Sequence, residues 1–125
     1  MERIYDPTKF SELANSLLLN GDYERESRAR TAIGRFYYAA FLLAWRKLSE
    51  KGISIPESGE MHKLVITTYN DKGLSSIGNR LDQLRESRVD ADYHMRANVT
   101  IEIGKKCSKL TQYTIDLLNQ VKEIK

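Results

Sequence analysis

The stretch RFYYAAFLLAW, residues 35–45, lies at the centre of the longest segment with a helical pattern. No proline or cluster of turn residues interrupts the chain from Asp22 to Gly52, and apolar residues recur there at the three- and four-residue spacing of an α-helix. Around residues 36–45 they cover nearly every side, and a helix that is apolar all round is buried on more than one side. We therefore expect a helix, capped by Asp22, that runs through the centre of a bundle or meets a second copy of the protein along one flank.

Helical patterns account for the rest of the chain as well. Asp6 and Pro7 predict the start of a first helix, with the aspartate as N-cap and the proline in the first helical position. Two shorter amphipathic segments follow the long one. The last segment alternates like a strand at residues 99–103, but the three-four spacing around it favours one long helix. The sequence thus predicts an all-α, up-and-down bundle of four to five helices with two long helices, near residues 22–51 and 95–123.

Length and composition predict one folded domain, residues 1–125, in a chain with 41% hydrophobic and 30% charged residues. The single Cys107 has no cysteine or histidine at metal-ligand spacing around it, which favours a reducing compartment and predicts no metal site. No run approaches the roughly 18 apolar residues that a membrane span needs, so we expect a cytoplasmic protein without a cofactor. The net charge of +3, from 20 basic and 17 acidic residues, is too balanced to indicate a nucleic-acid-binding protein, so any basic site must be local.

The common enzyme fingerprints are absent, and charge density peaks instead in LRESRVDADYHMR, residues 84–96. We predict a short break between two helices from Arg88 to His94, with Arg88 ending one helix and His94 near the start of the next. The positive end of a helix disfavours protonation, so a neutral His94 could accept a proton there. The alternative is structural: Arg88 binds the last carbonyls of its helix, Asp90 or Asp92 caps the next one, and Tyr93 packs half-buried.

Other candidate residues lie outside this break. A structural or surface role is expected for His62. Four aromatic residues at helical spacing are expected to be core or dimer contacts rather than a base-stacking platform: Tyr37, Tyr38, Phe41 and Trp45. Four arginines at the start of the long helix predict a solvated face: Arg25, Arg28, Arg30 and Arg35. Because Arg28 and Arg35 are seven residues apart and share a face, a shallow anion-binding groove is the alternative.

Two of these stretches resemble the HEPN superfamily of small helical domains, and the order of its motifs extends over nearly the whole chain. RFYYAAF at residues 35–41 is similar to the YYAAF centre of the second helix in the small prokaryotic branch, and RVDADYH at residues 88–94 is similar to its R..ADY ending. The resemblance implies a bundle that dimerises by its long helices. In many members an arginine, followed four to six residues later by a histidine, forms a metal-independent ribonuclease site, and Arg88 and His94 satisfy that spacing.

In that role Arg88 would hold the charge that develops on the phosphoryl oxygens, and His94 would move the proton of the RNA 2′-hydroxyl. Two such sets facing each other in a homodimer would form a composite site, and the protein would be the toxin of a toxin–antitoxin or defence system. Ribonuclease members usually carry a polar residue where this chain has Val89. The alternative that the resemblance implies is a non-catalytic module that binds a nucleotide or a partner minimal nucleotidyltransferase. Its recognition patch would consist of Arg85, Arg88, Asp92 and Tyr93.

Overall fold

The computed structural model describes residues 3–124, and this part of the chain is all-α. It contains five helices, which are α1 (Lys9–Leu19), α2 (Arg25–Glu50), α3 (Met61–Asp71), α4 (Ser75–Tyr93) and α5 (Ile101–Gln120). No strand occurs in that range, so the alternation at residues 99–103 belongs to the start of α5. The prediction of an all-α bundle of four to five helices is confirmed. None of these five helices combines the length and the apolar character that crossing a membrane requires.

Helix α2 is the central element, because it packs against each of the other four helices. Phe36, Tyr37 and Phe41 have no exposed surface, and burying such side chains stabilises the fold by about 1.5–3 kcal/mol each. The expected burial of this segment on more than one side is confirmed. Near the end of α2, Trp45 Nε1 donates to the carbonyl of Ile55 at 2.8 Å, and this hydrogen bond connects the loop that precedes α3 to α2.

The first helix begins two residues later than predicted. Its first residue is Lys9, and Pro7 lies in the preceding turn instead of the first helical position. The Asp6 carboxylate accepts from the Thr8 backbone N–H at 3.0 Å and from the Thr8 hydroxyl at 2.7 Å, which closes that turn. Asp6 therefore organises the start of α1 without being its N-cap.

The N-cap of α2 also differs from the prediction. Glu24, rather than Asp22, caps the helix, since its carboxylate accepts from the backbone N–H groups of Glu26 at 2.6 Å and Ser27 at 3.0 Å. The helix consequently begins at Arg25, three residues after the predicted cap.

The break before the last helix is displaced along the chain. Helix α4 continues through Tyr93 and α5 begins at Ile101, so the break covers residues 94–100 instead of 88–94. Thr100 is the N-cap of α5, with its hydroxyl accepting from the Ile103 N–H at 3.2 Å, and neither Asp90 nor Asp92 has that role. At 19 residues α4 is nearly as long as the 20-residue α5, so three helices are long rather than two.

Candidate functional site

The end of α4 is held by a guanidinium group from α2. Arg30 Nη1 donates to the carbonyls of Asp90 at 3.1 Å, Ala91 at 2.9 Å and His94 at 3.1 Å, and Arg30 Nη2 donates to the carbonyl of Ala97 at 2.9 Å. These donors satisfy carbonyls that a helix end leaves without intrahelical partners. Arg30 is thus a structural clamp, and its predicted place on a solvated helix face is wrong.

Arg28 has a similar structural role at the same end of the bundle, two residues before Arg30 on α2. It is buried, with its Nε donating to the Tyr23 carbonyl at 3.1 Å and its Nη1 donating to the carbonyls of Leu17 and Leu18 at 3.2 Å. Since these guanidinium donors bind the end of α1, Arg28 lines no exposed groove with Arg35. The predicted anion-binding groove between the two arginines is not formed.

His94 lies at the C-cap of α4, so its predicted position near the start of a helix is wrong. Its Nδ1 lies 2.7 Å from Asp90 Oδ1, and both side chains of this pair are exposed. An ionised carboxylate only accepts hydrogen bonds, so the proton of a neutral His94 lies on Nδ1 and its Nε2 can accept. The pair borders a shallow groove on the outer face of α4, lined by Asp82, Arg85, Glu86, Val89, Asp90 and His94.

Arg88 points in a different direction from His94. Its Nε donates to Asp92 Oδ2 at 2.9 Å, and its guanidinium carbon lies 5.3 Å from the ring centroid of Tyr38 on α2. Six residues along a helix amount to about 600°, which places the two positions on faces about 120° apart. Within residues 3–124 no contact joins Arg88 to His94. Within one chain, therefore, Arg88 contacts Asp92 and Tyr38, whereas His94 contacts Asp90.

Arginines and aromatic rings alternate along one surface of α1, α2 and α4. Arg35 lies 4.9 Å from the ring centroid of Phe10 and 5.1 Å from that of Tyr38. Phe10 extends this row to Tyr5 at 5.3 Å between ring centroids, and Arg88 extends it to the Tyr93 ring at 5.6 Å. We name this row the cation–aromatic strip, and its members are Tyr5, Phe10, Arg35, Tyr38, Arg88 and Tyr93. Tyr93 is 65% exposed, which contradicts the alternative prediction that it packs half-buried.

Two guanidinium groups, those of Arg35 and Arg88, lie on the Tyr38 ring at the middle of the strip. Arg85 lies one helical turn before Arg88, and in the described part of the chain no carboxylate forms an ion pair with Arg35 or Arg85. Asp92 pairs with Arg88 through Nε, and in residues 3–124 no hydrogen bond involves the two terminal nitrogens of that guanidinium, whose side chain is 17% exposed. Residues 3–124 hold no group of three or more His, Cys, Asp and Glu side chains suited to a metal ion. Guanidinium groups that keep unpaired N–H donors can bind anions.

His62 on α3 adjoins the same region, which its position in the sequence does not indicate. Its Nδ1 lies 2.6 Å from the Tyr37 hydroxyl, and its ring stacks on Phe41 with centroids 4.3 Å apart. Burial lowers the pKa of His62, and the positive charges of Arg85 and Arg88 lower it further. This packing agrees with the structural role expected for His62. Its approach to Arg85 and Arg88 depends on the fold and could not be expected from its position in the sequence.

Comparison with known proteins identifies a distant relative and no family. No family model matches this chain. The uncharacterized protein MJ0628 of Methanocaldococcus jannaschii is 27% identical over 118 residues, and the alignment covers 82% of this chain and 71% of that protein. Since no activity is named for the relative, the functional argument rests on the site itself.

Proposed function

We propose that this protein binds single-stranded RNA along the cation–aromatic strip, as a binding module of the HEPN type. The supporting observation is the position of two guanidinium groups, those of Arg35 and Arg88, on the half-buried ring of Tyr38, where only Arg88 has a paired carboxylate. Guanidinium groups bind phosphate oxygens through two parallel hydrogen bonds, and we expect these two to hold the RNA backbone.

The strip favours an extended strand over an isolated phosphate. Its successive members lie 4.9–5.6 Å apart, and all four of its rings retain exposed or partly exposed surface. Unpaired bases stack on tyrosine rings and on guanidinium planes, and neighbouring arginines hold the phosphates between them. A duplex would keep its bases stacked on each other and would use the arginines alone.

Metal-independent RNA cleavage is a second candidate, favoured by the Asp90–His94 pair. Asp90 orients the ring so that Nε2 can take the proton of a 2′-hydroxyl, as a general base requires. Because Arg88 and His94 occupy different faces of α4, a composite site would need the second chain of a homodimer. In this role the protein would be the toxin of a pair with a minimal nucleotidyltransferase. Binding is the primary proposal because the groove beside His94 is lined by three carboxylates, those of Asp82, Glu86 and Asp90, against the one guanidinium of Arg85, so its net negative charge repels phosphate.

The test measures fluorescence anisotropy of a labelled 12-nucleotide single-stranded RNA in a chelator, at several salt concentrations. We expect Arg35→Gln and Arg88→Gln each to weaken binding by roughly tenfold and to reduce the slope of log K against log salt by about 0.7. Arg25→Gln is the matched control, because it removes the same charge from an exposed ion pair with Glu102. Absence of binding by the unaltered protein, or equal losses in all three variants, would contradict the proposal.

The same samples separate binding from cleavage. Gel analysis of the RNA after incubation reports strand scission, and light scattering reports the oligomeric state. Cleavage that disappears in His94→Ala, in a dimer, would support the second candidate. A monomer, or RNA that stays intact at high protein concentration, would contradict the composite cleavage site but not the binding proposal.

A further inference from the structure

His62 and Arg88 flank the same ring, because Tyr38 lies 6.0 Å from the His62 ring between centroids and 5.3 Å from the Arg88 guanidinium carbon. Nδ1 of His62 faces the buried hydroxyl of Tyr37 at 2.6 Å, and its ring packs flat against Phe41 with 21° between the planes. Nδ1 and Nε2 point in divergent directions from an imidazole ring, so Nε2 faces away from Tyr37. No hydrogen bond to Nε2 occurs in residues 3–124, and the His62 side chain is partly exposed.

The tyrosine determines which nitrogen of His62 carries the proton. Tyr37 has no exposed surface, and burial raises the pKa of its phenol, so the hydroxyl stays protonated. A buried O–H requires an acceptor, and the partner of this hydroxyl is His62 Nδ1. Burial also lowers the pKa of His62, which keeps the imidazole neutral. With Nδ1 accepting, the single proton of the ring lies on Nε2, which therefore presents an N–H donor.

We infer that His62 is an RNA-binding residue whose Nε2–H donates to a phosphate oxygen held by Arg88. This inference rests on the proposed function, and it adds a fourth helix, α3, to the site. A phosphate oxygen has several lone pairs, and a guanidinium group on one side leaves acceptor capacity for a directional donor on another. Tyr37 is then a positioning residue, because it acts on the ligand only by holding the proton of His62 on Nε2.

Three variants test the role of the histidine with the same labelled RNA. His62→Phe keeps a flat ring against Phe41 and removes the donor, so we expect binding to weaken roughly 5- to 20-fold. Tyr37→Phe removes the hydroxyl that fixes the proton and should weaken binding roughly 2- to 4-fold, with no further loss when it is added to His62→Phe. Thr67→Ala, an exposed change on the same helix, is the control and should bind normally. Circular dichroism confirms that each variant is folded at the assay temperature.

Nitrogen NMR of the histidine ring provides a readout that a purely structural role would not move. In the free protein we expect Nδ1 of His62 unprotonated and Nε2 protonated, and we expect the Nε2 resonance to shift as RNA is added. Unaltered binding by a folded His62→Phe, a proton on Nδ1, or an unmoved Nε2 resonance would overturn the inference while arginine-dependent RNA binding persisted. If the unaltered protein bound no RNA, the proposed function and this inference would both be wrong.

Discussion

Replacing Arg30 with methionine removes the clamp that joins α2 to the end of α4. The methionine keeps an unbranched apolar side chain but provides no donor to the carbonyls of residues 90–97. We expect the free energy of unfolding to fall, and the break between α4 and α5 to open more often than the core around α2.

The environment of the carbonyls determines the size of this loss. The bonds to Asp90, His94 and Met95 lie in exposed surroundings, so water replaces them at little cost, whereas the bonds to Ala91 and Ala97 are part-buried at 2.9 Å each. A hydrogen bond to a charged group contributes about 1.5–3 kcal/mol. Two such bonds, weakened by their partial exposure, give a loss of about 3 kcal/mol and a decrease in Tm of about 10 °C for a domain of this size.

Urea unfolding followed by circular dichroism measures this loss. Arg25→Met is the matched control, because its ion pair with Glu102 is 66% exposed on both sides and should contribute less than about 0.5 kcal/mol. Arg30→Lys keeps the charge but not the planar fork, and should lose about half as much as Arg30→Met. Hydrogen exchange should accelerate at residues 94–100 before it does in α2. A loss below about 1 kcal/mol for Arg30→Met, or one equal to that of Arg25→Met, would refute the reasoning.

Three further predictions concern packing, capping and pH. A Cβ added at Gly104 would lie 2.6 Å from Leu18 Cδ2, so Gly104→Ala should lower the free energy of unfolding by about 1–3 kcal/mol, measured by thermal unfolding. Leu18→Ala should cost less stability in the Gly104→Ala protein than it does alone. Thr100→Ala removes the N-cap of α5 and should cost about 1 kcal/mol in urea unfolding, whereas an unchanged midpoint would show that the cap is dispensable. The pKa of His62 is lowered from its ordinary value of 6.5, so the unfolded chain binds a proton that the folded protein does not. The contribution of neutral His62 to the free energy of unfolding should therefore be fully present above pH 6.5 and should decrease at lower pH by at most about 1.4 kcal/mol per pH unit. His62→Gln should give a flatter profile of stability against pH, and a steeper profile in this variant would contradict the prediction.

The candidate site was only partly accessible from the sequence. Charge density indicated residues 84–96, and the resemblance implied a patch there of Arg85, Arg88, Asp92 and Tyr93. The fold brings Arg88 into contact with Asp92 and Tyr93. The contact of Arg88 with Tyr38 joins residues 50 positions apart on two helices, so no local pattern could indicate it. The same holds for His62 and Tyr37, which are 25 residues apart.

The sequence by itself determined the helical class and the central position of α2, because three-four apolar spacing and all-round apolar character are local properties that burial requires. Only the tertiary structure decided which arginines are free to bind a ligand. Arg28 and Arg30 lie five to seven residues before Arg35 on the same helix, and both bind the carbonyls of a neighbouring helix end, while Arg35 lies between aromatic rings. The contact of Arg30 with the end of α4 also allows this helix to continue past Arg88 to Tyr93, because the donors that satisfy its last carbonyls come from α2, about 60 residues earlier in the chain.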